Sequence, residues 1–170
     1  MQRSDRILTT HVGSLPRPKD LLDLMKAKVS GSTYDKAAYD QRVKSAVAEC
    51  VKKQVETGVD IVSDGEQSKP GFFSYVRERL EGFEARPHQK RQLFAAEVAA
   101  FPEYYEKYFR EAMMGGAVAP VVPLVCTGPV NYCGEEALAR DIANLKAAAG
   151  GAYGAFVPAV APSGVGTNEY

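Results

Sequence analysis

Two rhythms run through this chain. Short β-branched or apolar runs, each closed by glycine, proline or a carboxylate, alternate with longer stretches that repeat apolar residues every three to five positions. Arg6 to Thr10 (RILTT) is the first short run. HVGSLPRP stops it with Gly13, Pro16 and Pro18, which predicts a strand near 6–12 ending in a structured loop. Lys19 to Met25 has helical spacing. Tyr34 to Thr57 gives a long amphipathic pattern through Ala38, Val43, Ala46, Val47, Cys50 and Val55, and Gly58 is its natural stop. Val59, Ile61 and Val62 then make a short strand over 59–63 that ends at Asp64, Gly65 and Glu66. Residues 72–80 read as helix and 82–90 do not. A second amphipathic stretch, 95–114, carries Phe101, Tyr104, Tyr105, Tyr108 and Phe109. Those rings suit a packing layer better than base stacking, because the charges between them include Glu103, Glu106 and Glu111. The pattern closes with a strand over 118–126 punctuated by Pro120 and Pro123, a helix over 135–149, and a strand over 155–161.

Strands alternating with helices predict a parallel α/β architecture in a single domain, 1–170. The four strands, near 6–12, 59–63, 118–126 and 155–161, make half of an eight-stranded barrel, whose usual length is about 250 residues. A half barrel leaves two open strand edges and an unfilled interior. The expected fold is therefore half of a (β/α)8 TIM barrel, completed by a partner chain; self-pairing or a small open sheet are the other solutions. Residues 111–170 contain only Arg140 and Lys146 as bases, a composition better suited to burial than to a free surface.

Charge narrows the function classes. The 21 Lys plus Arg equal the 21 Asp plus Glu among 170 residues, which excludes a polybasic nucleic-acid arm and an acidic tail. No apolar run approaches the roughly 20 residues a bilayer crossing needs, and no basic segment followed by an apolar run opens the sequence. A cytoplasmic protein without nucleic-acid or membrane partners is expected. The odd number of cysteines, Cys50, Cys126 and Cys133, fits a reducing compartment. Cys50 reads as a small buried apolar residue. Cys126 and Cys133 stand at i and i+7, unlike a compact zinc knuckle, and only His11 and His88 remain to help them, so no metal ligand is assigned within the chain.

Polar residues directly after short buried strands are where α/β folds place chemistry. Asp64 and Glu66, two apart at a strand end, would face the same way in an extended chain. They suit acid–base work, an ammonium group or the vicinity of a metal, or else helix capping and solvation. His11 suits an acid, a base, a ligand or a hydrogen-bond donor, while Gly13 admits a close backbone approach and Ser14 offers a hydroxyl and an amide. The competing reading makes HVGS a tight turn fixed by Pro16. Thr127-Gly128-Pro129 and Pro162-Ser163-Gly164 finish strands in a similar way, and four such ends would converge on one barrel mouth. No glycine pattern matches a phosphate loop and no serine sits in a nucleophile elbow, so a nucleotide cofactor is not indicated.

Taken in order, THVGSLPRP at 10–18, GVDIVSDGE at 58–66, CTGPVNY at 126–132 and VPAVAPSG at 157–164 resemble the catalytic barrel of cobalamin-independent methionine synthase and its shorter bacterial relatives. The resemblance implies a (β/α)8 barrel whose zinc ion binds the thiol of homocysteine as thiolate while a methyl group passes to sulfur from methyltetrahydrofolate. It implies that the backbone at Val12 and Gly13, with Ser14, holds the amino acid's carboxylate and that Glu66 pairs with its ammonium group. His11 and Asp64 join Glu66 as catalytic candidates, and Thr127 and Gly128 would shape the mouth of the cleft. The family's zinc ligands, a His-x-Cys pair, a Glu and another Cys on later strands, have no counterpart here, so zinc would be held by a second subunit carrying the remaining strands. The function implied is a subunit of a transferase moving a methyl group to a thiol. Alternatives are another thiol-dependent or carbon–carbon bond chemistry on the same barrel, or a non-catalytic stabilising subunit.

Overall fold

A 21-residue helix organises the molecule. In the computed structural model, which describes residues 5–72, 74–86, 94–109, 123–161 and 165, helix α2 spans Lys36–Glu56. Asp35 caps it by accepting the Ala38 N–H at 3.0 Å. Its stop is Gly58, at φ 85°, a left-handed conformation that glycine adopts without a Cβ penalty. Tyr39, Val43, Ala46, Val47 and Val51 line its buried face. They pack with Leu21 and Met25 of α1 (Lys19–Val29), Val62 of strand β1 (Ile61–Ser63) and Leu145 of α5 (Glu135–Ala148) into one hydrophobic cluster. Cys50, on the same face, is buried as the sequence led one to expect.

Strand β1 pairs in parallel with β4 (Gly154–Phe156) in the register Ile61 to Gly154 and Ser63 to Phe156. On its other side Thr10 makes a single parallel bridge to Ile61, so the expected strand over 6–12 is reduced to one rung. What holds that segment instead is Asp60. Its carboxylate pairs with Arg6 and accepts from the Thr9 amide at 2.8 Å and the Thr9 hydroxyl at 3.0 Å.

The third expected strand departs from the parallel pattern. Strand β3 (Leu124–Tyr132) runs antiparallel to β2 (Leu80–Ala85), in a two-stranded sheet separate from β1 and β4. Residues 118–122 of that expectation lie outside the described residues. The pairing depends on Gly82, at φ 88°, where the register shifts. A Cβ there would collide with the main chain of Gly128 and Pro129. The expected helix over 72–80 is likewise replaced by a 3-10 turn, Tyr75–Glu78, leading into β2. The described residues thus form an α/β fold with two small open sheets and four strands.

The aromatic stretch breaks into α3 (Ala95–Ala100) and α4 (Pro102–Tyr108), because Phe101 leaves the helical region and Pro102 starts a new first turn. Tyr104, Tyr105, Tyr108 and Phe109 contact one another, with centroids 5.1 Å apart for Tyr104 and Tyr105, yet neither helix buries a residue. Residues 110–114 of that expectation are outside the description. No helix among the described residues is long and apolar enough to cross a membrane.

Gln54 joins α2 to the sheet. Its buried amide donates to the Ser63 carbonyl at 2.8 Å and accepts the Ser63 N–H at 3.0 Å, giving β1 the partner that a neighbouring strand would otherwise supply. Gln54→Ala would leave both backbone groups buried and unpaired, and should cost about 2–4 kcal/mol in urea unfolding. The exposed Gln41→Ala should stay within about 0.5 kcal/mol of the parent. A Gln54→Ala chain as stable as the parent would show that the pairing does not hold β1.

Candidate functional site

Two loops meet at the C-terminal end of the parallel strands. The first runs from His11 to Arg17 and the second from Asp64 to Lys69, and the Leu15 amide donates to the Gly65 carbonyl at 3.0 Å between them. The second loop is not extended. Gly65 (φ 61°) and Glu66 (φ 57°) are both left-handed, so the backbone reverses and Asp64 and Glu66 diverge. At Gly65 only glycine fits, since a Cβ would lie 3.1 Å from that of Leu15 and closer still to the Cys50 sulfur. At Glu66 the same conformation costs about 1–2 kcal/mol, which the surrounding contacts must offset.

Three polar neighbours do so. Asp64 Oδ1 accepts the Glu66 amide at 3.0 Å, Arg17 Nη2 donates to the Glu66 carbonyl at 2.8 Å and to the Lys69 carbonyl at 2.7 Å, and the Ser14 hydroxyl donates to Glu66 Oε2. Held at both backbone and side chain, the buried Glu66 carboxylate borders a cleft of about 540 Å³. Val12, Gly13, Ser14 and Glu66 form one wall, and Phe156, Val157, Pro158 and Ala159, the continuation of β4, form the other with Phe72. The cleft is therefore polar at the Ser14–Glu66 end and apolar elsewhere.

Behind the polar end lies a balanced set of charges. Asp64, Glu66 and Asp141 face Arg17, Lys69 and Arg79. Burial pushes the Asp64 carboxyl up from the ordinary aspartate value and pulls the Arg17 and Lys69 cations down from theirs. The Arg79–Asp141 pair, at 2.5 Å, ties the segment after the 3-10 turn to α5.

The structure brings Val12, Gly13, Ser14 and Glu66 into the cleft and leaves the other expected site residues outside its lining. Asp64 stands behind it, with one carboxylate oxygen on the Glu66 amide. His11 is half-buried, and its Nε2 is buried without a hydrogen-bond partner among the described residues. Thr127 and Gly128 are exposed on β3, in the other sheet. Residues 162–164, the fourth expected strand end, lie outside the described residues. Arg17, Lys69 and the aromatic walls escaped the sequence reading. The available signals were an arginine between two prolines and a lysine before Pro70 just past a buried strand.

The residues present do not fit a zinc site. Among the described residues no group of three or more His, Cys, Asp or Glu is placed to hold a metal. Cys126 donates to the Gly128 carbonyl at 3.4 Å and Cys133 is exposed. His88 is outside the description.

A carboxylate and a hydroxyl at strand ends, beside an apolar wall, make a cleft of the kind in which α/β folds bind small molecules. The family model described as cobalamin-independent synthase, catalytic domain, matches residues 7–119, and the chain belongs to that family. It is 27% identical over 116 residues to the 5-methyltetrahydropteroyltriglutamate--homocysteine methyltransferase of Streptomyces griseus, covering 68% of this chain and 14% of that one. The enzyme of the same name from Bifidobacterium adolescentis is 33% identical over 75 residues, 44% of this chain and 10% of that one. The one from Thermosynechococcus vestitus is 24% identical over 142 residues, 79% of this chain and 19% of that one. The chain thus spans less than a fifth of these relatives. A solved B12-independent methionine synthase from Shewanella sp. W3-18-1, in complex with selenomethionine, aligns with a TM-score of 0.43 at 22% identity, covering 72% of this chain and 29% of that one.

Asp60 fixes the loop that carries Val12 to Ser14. The Arg6 hydrogen bond, then that of the Thr9 amide, holds the Asp60 carboxyl well below the ordinary aspartate value of 3.8. A carboxyl depressed by folding stabilises the fold above its unfolded pKa, and that contribution is lost as pH falls through the lower folded value. The Thr9 amide resonance should therefore titrate with a midpoint below 3.8, a step absent in Asp60→Asn. A midpoint at or above 3.8 would show that the tie does not form in solution.

Proposed function

We propose that this chain supplies the amino-acid-binding part of a methionine-synthase-like transferase that moves a methyl group to a thiol such as homocysteine. The observation that carries the reading is the Glu66 carboxylate, buried, bonded to Ser14 and bordering an otherwise apolar cleft. A carboxylate in such surroundings is a strong partner for an ammonium group, because little water competes for it. The Gly13 and Ser14 backbone, at the same end, suits the substrate's carboxylate. Phe72, Phe156 and Val157 offer the side chain an apolar path away from the charged end. Family membership supports methyl transfer as the chemistry, and the names of the matched relatives, homocysteine methyltransferases, support homocysteine as acceptor.

In this reading the chain's own residues bind and orient. Glu66 and Ser14 fix the α-amino end, the apolar wall excludes water along the side chain, and the thiol is left pointing away from them. His11 and Asp64 act from behind, on the loops. Zinc, held by ligands of a second subunit that carries the remaining barrel strands, would supply thiolate activation. The edges that the small parallel sheet leaves open among the described residues support such a partner.

Calorimetric titration of the full chain with L-homocysteine tests the reading, with Glu66→Gln as the comparison. Removing the charge while keeping the shape should weaken binding by about ten- to a hundredfold, the worth of one charge-assisted hydrogen bond. Equal affinity in parent and variant would rule out Glu66 as the ammonium partner.

A further inference from the structure

We propose that Lys69 and Tyr75 form a clamp that positions the Pro158–Val160 wall and thereby selects the length of ligand side chain the cleft accepts. This rests on the amino-acid reading given above. The wall needs a separate support, because the parallel ladder ends at the Ser63–Phe156 rung and residues 157–161 follow as irregular chain. Pro158 has no N–H to pair. Yet Pro158 and Ala159 line the same cleft as Glu66, so their position sets the room the cleft leaves beside the charged end.

Two side chains from the segment after β1 hold this wall. The Lys69 ammonium donates to the Pro158 carbonyl, and the Val160 amide donates to the Tyr75 hydroxyl at 3.1 Å. The two also touch each other, with Lys69 Nζ 4.9 Å from the centre of the Tyr75 ring. Both are almost wholly buried, at 1% and 7% exposure. A buried lysine is costly unless its charge is answered, and here Asp64, Glu66 and Asp141 answer it, with Arg79 opposing. Arg79 also lies over the Tyr75 ring, 5.0 Å away, while paired to Asp141, so the ring is gripped by two cations.

The clamp reaches both walls. The Lys69 carbonyl shares the Arg17 guanidinium with the Glu66 carbonyl, so one residue is bound at its backbone to the Glu66 turn and at its ammonium to Pro158. A leucine or methionine at 69 would meet the demands of burial with less desolvation, but neither can bond the Pro158 carbonyl. Spanning the two walls is the property that lysine adds at this position.

Two measurements on the full chain test the clamp, using Tyr75→Phe, which keeps the ring, and Lys69→Met, which keeps the length. Amide hydrogen exchange should show Val160 protected in the parent and exchanging about tenfold faster in Tyr75→Phe and in Lys69→Met, with Val47 in α2 unchanged. Titration with straight-chain α-amino acids, from 2-aminobutyrate through norvaline to norleucine, should show the ratio of affinities shifting by about fivefold in the variants, since a purely structural defect lowers all of them together. Unaltered Val160 exchange in both variants, or affinities that fall in parallel, would overturn the proposal. A parent chain that binds none of these amino acids while Val160 responds as described would overturn the amino-acid reading and the length selection, and would support only the anchoring of the wall.

Discussion

The left-handed pair Gly65–Glu66 is the constraint on which the rest of the site depends. A carboxylate at the end of a strand ordinarily turns to water. Here the backbone reverses through two successive positive φ values and the Glu66 side chain is carried back under Ser14, to the border of a cleft. Gly65 makes the reversal possible because the Cys50 sulfur and Leu15 leave no room for a Cβ. Arg17, Asp64 and Ser14 then hold a glutamate in a conformation it would not adopt alone. The scaffold beneath is correspondingly rigid: α2 packs on β1, and Gln54 pairs with Ser63 immediately before the turn.

Electrostatics and packing act on the same few residues. Six charged side chains gather at the turn, three of each sign, so each carboxylate has a cation close by. Burial works against Asp64, Lys69 and Arg17, raising the first pKa and lowering the other two. That expense is hard to explain as stability alone, because apolar residues of similar volume would fill the space with less desolvation. It is intelligible if the network serves to fix the Glu66 side chain at the border of the cleft.

Much of the scaffold could be read from the residues. The period of Tyr34 to Thr57 located α2, the run before Asp64 located β1, and the alanine-rich stretch located α5, because each pattern is local and strong. The partner of β3 could not be read that way. LEGFEA alternates poorly and contains a glycine, and its strand character comes from antiparallel bonds to residues some forty to fifty positions away, fitted around Gly82. The same limit applied to the site. Val12, Gly13, Ser14 and Glu66 were identifiable from strand-end position and from the family resemblance, and they do meet in the cleft. The reversal at Glu66 and the use of Asp64 as a backbone acceptor depend on tertiary contacts with Arg17 and Cys50 that no local pattern encodes. Thr127 and Gly128 followed the assumption of four converging strand ends, and the antiparallel sheet carries them elsewhere.

The most direct test of this account is nuclear magnetic resonance of the isotopically labelled chain, titrated with L-homocysteine and observed at side-chain carboxyls and backbone amides together. The account predicts that the Glu66 carboxyl and the Gly13 and Ser14 amides shift with one common midpoint while Thr127 and Gly128 stay still. Shifts concentrated on Thr127 and Gly128, with the Glu66 carboxyl unmoved, would contradict it.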